Sequence, residues 1–371
     1  MTLDPDVALR ADESARYLRA RELIMAYGWN STSYQILNPG FELWFSSGRD
    51  AVVGYVRAGG RRVVGGAPVS SHERLHEVAD EFERDAREHG LGVVYFGAEE
   101  RLENLYRGRD THSALLLGAQ PSWNPNDWDT IIATHASLRA QLNRARNKGV
   151  TIELWPSERA ERNAELGTVL KEWLATRGLP PLHFLIEPET LGNMRDRRVF
   201  VASRDGAPVG FLVASPIPAR NGWLTEQFVR GRGAPNGTAE LMIDAAVRWC
   251  AEQSCGYLTM GLAPLSTRAG DFRNSSMPLQ LGFRWLRAHG RRFYNFAGLD
   301  AFKAKFCPGQ WEAVYAISNE RRFSLKAAYA IASAFTQGRP VRTVLEGMVG
   351  AVKQEVRWWR TNESTRRGLA R

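Results

Sequence analysis

The stretch WLTEQFVRGRGAPNGTAELMIDAAVRWCAEQ, residues 223–253, leaves this chain few ways to fold. Strand-forming residues run into a bend of three glycines and a proline, and an apolar-periodic helix comes straight out of it. Such a bend is either a plain strand-to-helix connection or a seat for an anionic or polar reactant at a helix N-terminus.

The flanking elements extend the pattern. Residues 12–27 read as a helix, FELWFSS, AVVGYVRA and RRVVGGAPV as strands, 72–89 as an amphipathic helix closed by Gly90, and GVVYFG as a buried strand. The order then recurs. SLRAQLNRARNKG is a helix, VTIELW a strand, 158–176 a helix, and RVFVASRDGAPVGFLVASPI a hairpin turned at Asp205-Gly206. The unit at 223–253 follows, then strands in GYLTMGLAP and WEAVYAIS. This order predicts an α/β (α+β) fold of tandem acetyltransferase-like lobes, with mixed, mostly antiparallel sheets flanked by helices. The expected boundaries are 1–135 for the first lobe, 136–319 for a second lobe carrying the active site, and 320–371 for a basic amphipathic tail.

Composition narrows the class. With 371 residues, 44% hydrophobic and 24% charged, the chain can bury a sizeable core. No stretch approaches the roughly 18–20 apolar residues of a membrane span, and the acidic N-terminus is no secretory signal, so a cytoplasmic location is expected. Cys250, Cys255 and Cys307 fit no metal or redox spacing and read as reduced. His72 and His76 lie four apart on a helix without a third ligand in view, so no metal is expected. Of the net charge of +9, residues 320–371 carry +7, from eleven Lys and Arg against four Glu. Within that tail Val341, Val344, Leu345, Met348, Val349, Val352, Val356 and Trp359 form one helical stripe with the basic residues off it. It reads either as an anchor on an anionic bilayer or as a helix packed on the body.

Around the bend, Arg230 and Arg232 could grip a phosphate, Asn236 can donate and accept, and Gly237 opens the helix. Glu240 falls in its first turn, where a carboxylate either complements the helix dipole or serves the chemistry. Glu226 at the end of the preceding strand is a second candidate. Coenzyme A binding would need free backbone donors here, and Pro235 has none. Of Lys303 and Lys305, two apart in DAFKAKF, at most one points into a site on a helix, and Lys305 is favoured. Ser266 ends a strand, where α/β ligands bind, but no serine triad is evident. Arg139 and Arg146 share the basic face of SLRAQLNRARNKG and suit phosphodiesters or solvent; no acid occurs from Thr130 to Ile152.

The segments APNGTAELMIDAAVRW, GYLTMGLAPLS and GLDAFKAKFCPGQWEAVY resemble, in that order, the catalytic region of the phosphatidylglycerol lysyltransferases, the bacterial aminoacyl-phosphatidylglycerol synthases. GGAPVSSHERLHEVADEFERDAREHGLGVVYFG and SLRAQLNRARNKGVTIE extend the resemblance to about residues 30–318. The resemblance implies a tandem acetyltransferase-like fold that uses aminoacyl-tRNA in place of coenzyme A, hence no cofactor, and passes the amino acid to a phospholipid hydroxyl at the inner face of the membrane. It implies an acidic role at Glu240, with Glu226 and Lys305 as further catalytic candidates. Arg230, Arg232, Asn236, Gly237, Ser266 and Lys303 are the expected substrate contacts, and Arg139 and Arg146 the expected tRNA or phosphate contacts. Family members often carry an acid three residues before the arginine, where this chain has Gln227, and commonly an N-terminal flippase that no stretch here matches. Two other classes keep their place: a coenzyme A-dependent N-acyltransferase, and a tRNA-dependent ligase acting on a peptide or a small soluble acceptor.

Overall fold

A computed structural model describes residues 5–176, 183–186, 188–270 and 296–338. The first half runs α1 (Pro5–Tyr27), β1 (Glu42–Phe45), β2 (Val52–Ala58), β3 (Arg61–Gly65), α2 (Leu75–Glu88), β4 (Gly92–Ala98), α3 (Glu100–Tyr106) and β5 (Ser113–Trp123). The second runs α4 (Trp128–Thr134), α5 (Ala136–Arg146), β6 (Val150–Trp155), α6 (Ser157–Ala160), α7 (Ala164–Leu174), β7 (Arg198–Arg204), β8 (Ala207–Ile217), β9 (Gly222–Arg230), α8 (Thr238–Glu252), β10 (Tyr257–Thr259) and β11 (Ala263–Pro264). Then come α9 (Phe296–Ala304), β12 (Gln310–Ser318) and α10 (Leu325–Phe335).

Each half contains one parallel crossover, β3–α2–β4 in the first and β9–α8–β10 in the second. The remaining pairings are antiparallel, so the α/β class with two similarly built lobes is the fold observed. Alternation explains the second lobe's layers. One face of β7 and β8 buries Phe200, Ala202, Leu212 and Ala214 with α8, and the other buries Val199, Val201, Phe211 and Val213 with α7. The Asp205-Gly206 turn has both residues at positive φ, as a two-residue hairpin loop requires.

The halves share one sheet, ordered β1-β2-β3-β4-β12-β5-β10-β9-β8-β7-β6, with β11 added on β5. The WEAVYAIS strand, expected at the close of the second lobe, runs between β4 and β5 of the first. Chain from beyond residue 300 therefore completes the first half's sheet. The crossing goes the other way at Trp123, which belongs to the core beneath α8.

Helix α10 occupies part of the expected tail and packs Ala327, Ala330 and Ala334 against Val63 and Val94 of the first lobe. The apolar stripe beyond residue 339 lies outside the described residues. No described helix is long and apolar enough to cross a membrane.

Candidate active site

The two expected carboxylates part company. Strand β9 carries a bulge: Gln227 pairs with Val213 and Thr225 with Ala214, leaving Glu226 without a cross-strand partner. Its carboxylate meets the buried Arg197 guanidinium in a bidentate pair, Nε–Oε2 2.9 Å and Nη2–Oε1 3.0 Å. Arg197 also donates to the Asn193 carbonyl at 2.8 Å and to Asn38 Oδ1 at 2.7 Å. Glu226 is thus committed to a junction that reaches the first lobe. Neighbouring Gln227 accepts from Thr190 at 2.7 Å and donates to the Pro188 carbonyl at 3.0 Å.

Glu240 stays within the second lobe. Its carboxylate, buried in the first turn of α8, meets Lys305 Nζ at 2.5 Å. The lysine lies just past α9, its side chain 35% exposed, with Nζ 4.1 Å from the centre of the Phe302 ring and 5.2 Å from that of Phe306. A buried carboxylate joined to a half-open ammonium has one member held by the fold and one open to solvent.

Lys303 points elsewhere. Fully desolvated, its Nζ donates to the carbonyls of Met260 (2.8 Å), Gly261 (2.8 Å) and Leu262 (2.9 Å), filling the mouth of β10. Burial pushes its pKa down to about 7, with nearby Asp300 working in the other direction. All three donors are spent on backbone, so the substrate contact expected of Lys303 gives way to a structural clamp. Ser266, also buried, donates to Asp300 Oδ1 at 2.6 Å, and Asp300 accepts from Arg268 Nε at 3.0 Å. That hydroxyl is held by the Asp300 carboxylate and ties the end of β11 to α9.

The bend itself is closed from above. Gly237 has φ +97°, and a Cβ there would lie 2.3 Å from the Gln141 carbonyl of α5 and 3.3 Å from Ala145. The Pro235 carbonyl accepts from both the Thr238 amide (3.2 Å) and its hydroxyl (2.7 Å). A diphosphate would meet an acceptor oxygen and helix α5 where an acetyltransferase offers donors. Arg230, Arg232 and Asn236 stand exposed around this bend, and the Arg232 amide donates to Glu172 at 3.1 Å.

The two arginines expected to face tRNA are partnered within the protein. Arg139 donates to the carbonyls of Ile132 and Ala133, capping α4. Arg146 reaches from α5 to the buried Asp244 on α8 at 2.8 Å, and Asp244 also accepts from Trp128 and Arg248. The exposed Arg144 and Lys148 of the same segment are left facing outward.

A polar cluster that sequence reading missed lies where the lobes meet. Arg220 donates to Glu312 Oε1 at 2.7 Å and Oε2 at 3.0 Å and to Glu99 at 3.1 Å, with its guanidinium 3.5 Å above the Tyr257 ring. Glu312 also accepts from Tyr257 (2.8 Å) and Gln120 (2.9 Å). Burial raises the Glu99 carboxyl despite Arg220. Burial works the same way on Glu312, but the donors from Arg220, Gln120 and Tyr257 hold it below the ordinary carboxylate range.

A tandem pair of acetyltransferase-like crossovers, with an acid and a lysine at the first turn of the second, defines the class of fold. The chain belongs to the family described as phosphatidylglycerol lysyltransferase, C-terminal, whose model matches residues 21–318. It is 26% identical over 282 residues to a phosphatidylglycerol lysyltransferase of Bacillus subtilis (strain 168), covering 75% of this chain and 32% of that protein. It is 23% identical over 308 residues to an uncharacterised protein of Corynebacterium glutamicum, covering 78% of this chain and 37% of that protein. The chain thus spans about a third of the length of the curated relatives it matches. Among solved structures, the C-terminal domain of a putative lysylphosphatidylglycerol synthetase from Agrobacterium fabrum shares the fold, with a TM-score of 0.74 at 22% identity over 88% of this chain and 98% of that one. L-PGS from Bacillus licheniformis does so with a TM-score of 0.69 at 22% identity over 89% and 95%.

Proposed function

We propose that this chain moves an aminoacyl group from aminoacyl-tRNA to the hydroxyl of a phospholipid such as phosphatidylglycerol, with Glu240 and Lys305 at the reacting centre. The observation that carries this reading is the 2.5 Å pair between a buried carboxylate and a half-exposed ammonium. The occupied bend at Gly237 supports a donor other than a thioester coenzyme.

The donor ester is already activated, so no covalent enzyme intermediate is needed. The lipid oxygen attacks the ester carbonyl as its proton moves to Glu240. Lys305 Nζ, fixed by that carboxylate and by the two phenylalanine faces, donates to the developing oxyanion. Collapse of the tetrahedral species breaks the bond to the ribose oxygen, which leaves with the proton held by Glu240. Arg230, Arg232, Arg144 and Lys148 supply exposed positive charge for the donor's phosphates. Glu226 acts by positioning β9 through Arg197. The basic sequence beyond residue 339 would hold the chain on the inner face of an anionic membrane, at about 1 kcal/mol per basic residue near the surface.

The test is incubation with total charged tRNA and a lipid extract, beside an arm given acetyl-CoA. Aminoacylated lipid whose formation is abolished by ribonuclease is the expected product. Acyl transfer from acetyl-CoA, with none from charged tRNA, would overturn the reading.

A further inference from the structure

The end of α8 remote from Glu240 closes on two thiols. Its last turn is a Schellman cap. The Cys255 amide donates to the Cys250 carbonyl at 2.9 Å and the Ser254 amide to the Ala251 carbonyl at 2.9 Å, with Ser254 left-handed at φ +53°. Such a cap brings the side chains at its two closing positions into contact. Here those positions are Cys250 and Cys255, both free and buried in the core beneath α8. A spacing that fits no redox motif along the chain thus puts two sulfurs side by side in the fold.

Asn221, in the turn before β9, fixes the pair. Its side-chain amide donates to the Ser254 carbonyl at 2.9 Å, and its own carbonyl accepts from the Gly256 amide at 3.0 Å. Cys255 is thereby pinned on both sides, while Ser254 and Gly256 themselves stand exposed. The Cys250 thiol donating to it lowers the Cys255 pKa, with burial opposing and the Trp223 indole assisting. The same contact, then burial, raises Cys250. One sulfur is the readier thiolate and its neighbour is placed to resolve it, the arrangement of a redox-responsive pair. Cys307 differs: it is half-buried, donates to the Lys305 carbonyl at 3.7 Å, and has its pKa raised by burial.

We propose that Cys250 and Cys255 form a reversible disulfide site that reacts with hydrogen peroxide. The Cys255 thiolate attacks one peroxide oxygen and the O–O bond breaks, leaving a sulfenic acid on Cys255. The departing hydroxide takes up the proton that Cys255 released and becomes water. The Cys250 sulfur then attacks Cys255 Sγ, the S–O bond breaks, and the second hydroxide leaves as water with the Cys250 proton. Two thiols are oxidised to one disulfide, and the peroxide is reduced to two waters. The site stands whether or not the chain transfers aminoacyl groups.

Peptide mass spectrometry tests it, on the reduced full chain treated with hydrogen peroxide, alkylated and then digested with trypsin. Cleavage after Arg248 and Arg268 leaves both cysteines in one peptide and Cys307 in another. In the wild type both thiols of the first peptide should be lost together and return with dithiothreitol, while Cys307 stays open to alkylation. Cys250→Ala should stop at a Cys255 sulfenic acid trapped by dimedone, and Cys307→Ala should oxidise like the wild type. Cys255→Ala should slow oxidation at Cys250 by about tenfold or more. Three alkylated cysteines after peroxide, Cys307 oxidised ahead of the pair, or a disulfide formed only in denaturant would overturn the proposal.

Discussion

The two crossover bends share a tripeptide and end differently. Each contains Gly-Ala-Pro, at 66–68 after β3 and at 233–235 after β9. The first takes nine residues to reach its helix, from 66 to 74, and the second seven, from 231 to 237. The longer bend packs Gly66, at φ +78°, against the side chains of Thr32 and Asn30. The shorter one turns at Gly237 directly under α5, whose Arg146 ties down to Asp244. Lys303 then fills the neighbouring strand end. The comparison shows how one topology can pack the same kind of bend under side chains in one copy and under a helix backbone in the other. In the proposed reaction, the second lobe's chemistry falls to Glu240 in the first turn of α8.

Substitutions in and around the second bend test that contrast. The largest effect is expected of Gly237→Ala, which puts a Cβ into the Gln141 carbonyl at a positive φ. It should cost on the order of 3 kcal/mol in denaturant unfolding. Gly233→Ala in the same bend has only Val209 at 3.7 Å to meet and should change stability by less than about 0.5 kcal/mol. Equal effects at the two positions would mean that α5 does not cover the bend. Lys303→Met strips three carbonyls of their donor and should cost about 2 kcal/mol in the same measurement. Arg146→Ala should cost about 1 kcal/mol, since Asp244 keeps Trp128 and Arg248 and Arg146 is half exposed. A loss of tRNA affinity in a filter-binding assay with no loss of stability would instead return Arg146 to the nucleic-acid surface.

The smallest effect concerns the joint between the lobes. Glu312 is held below its ordinary value, so its stabilisation is complete above the ordinary carboxylate range and is lost as pH falls through the lowered folded value. Glu312→Gln should therefore flatten the acid limb of a stability-against-pH curve. Glu99, raised by burial, contributes with the opposite sign, losing its share as pH rises through its folded value.

Local pattern carried much of the fold. The strands at 42–45, 52–58 and 61–65, the Asp205-Gly206 hairpin and helix α8 follow from alternation, turn chemistry and period. Strand β5 escaped notice because Gly118 and Pro121 interrupt it. Gly118 is needed there, since a Cβ would meet the Ala263 carbonyl at 2.2 Å. The place of β12 was illegible for another reason: its register with β5, Gln310 opposite Ser122, is a long-range choice that no local window contains. The site divides in the same way. Glu240 and Lys305 stand in motifs, whereas Arg220 meets Glu99 across 121 residues and Glu312 across 92. The bulge that turns Glu226 toward Arg197 has no signature in WLTEQFVR.

The most direct measurement is a double-mutant cycle on single-turnover transfer from charged tRNA to phospholipid, with Glu240→Gln, Lys305→Gln and the pair together. If the carboxylate and the ammonium act as one unit, each single change should lower the rate by about a hundredfold or more, and the double change should be scarcely worse than either. Near-wild-type transfer by either single variant, with the protein folded, would contradict the account.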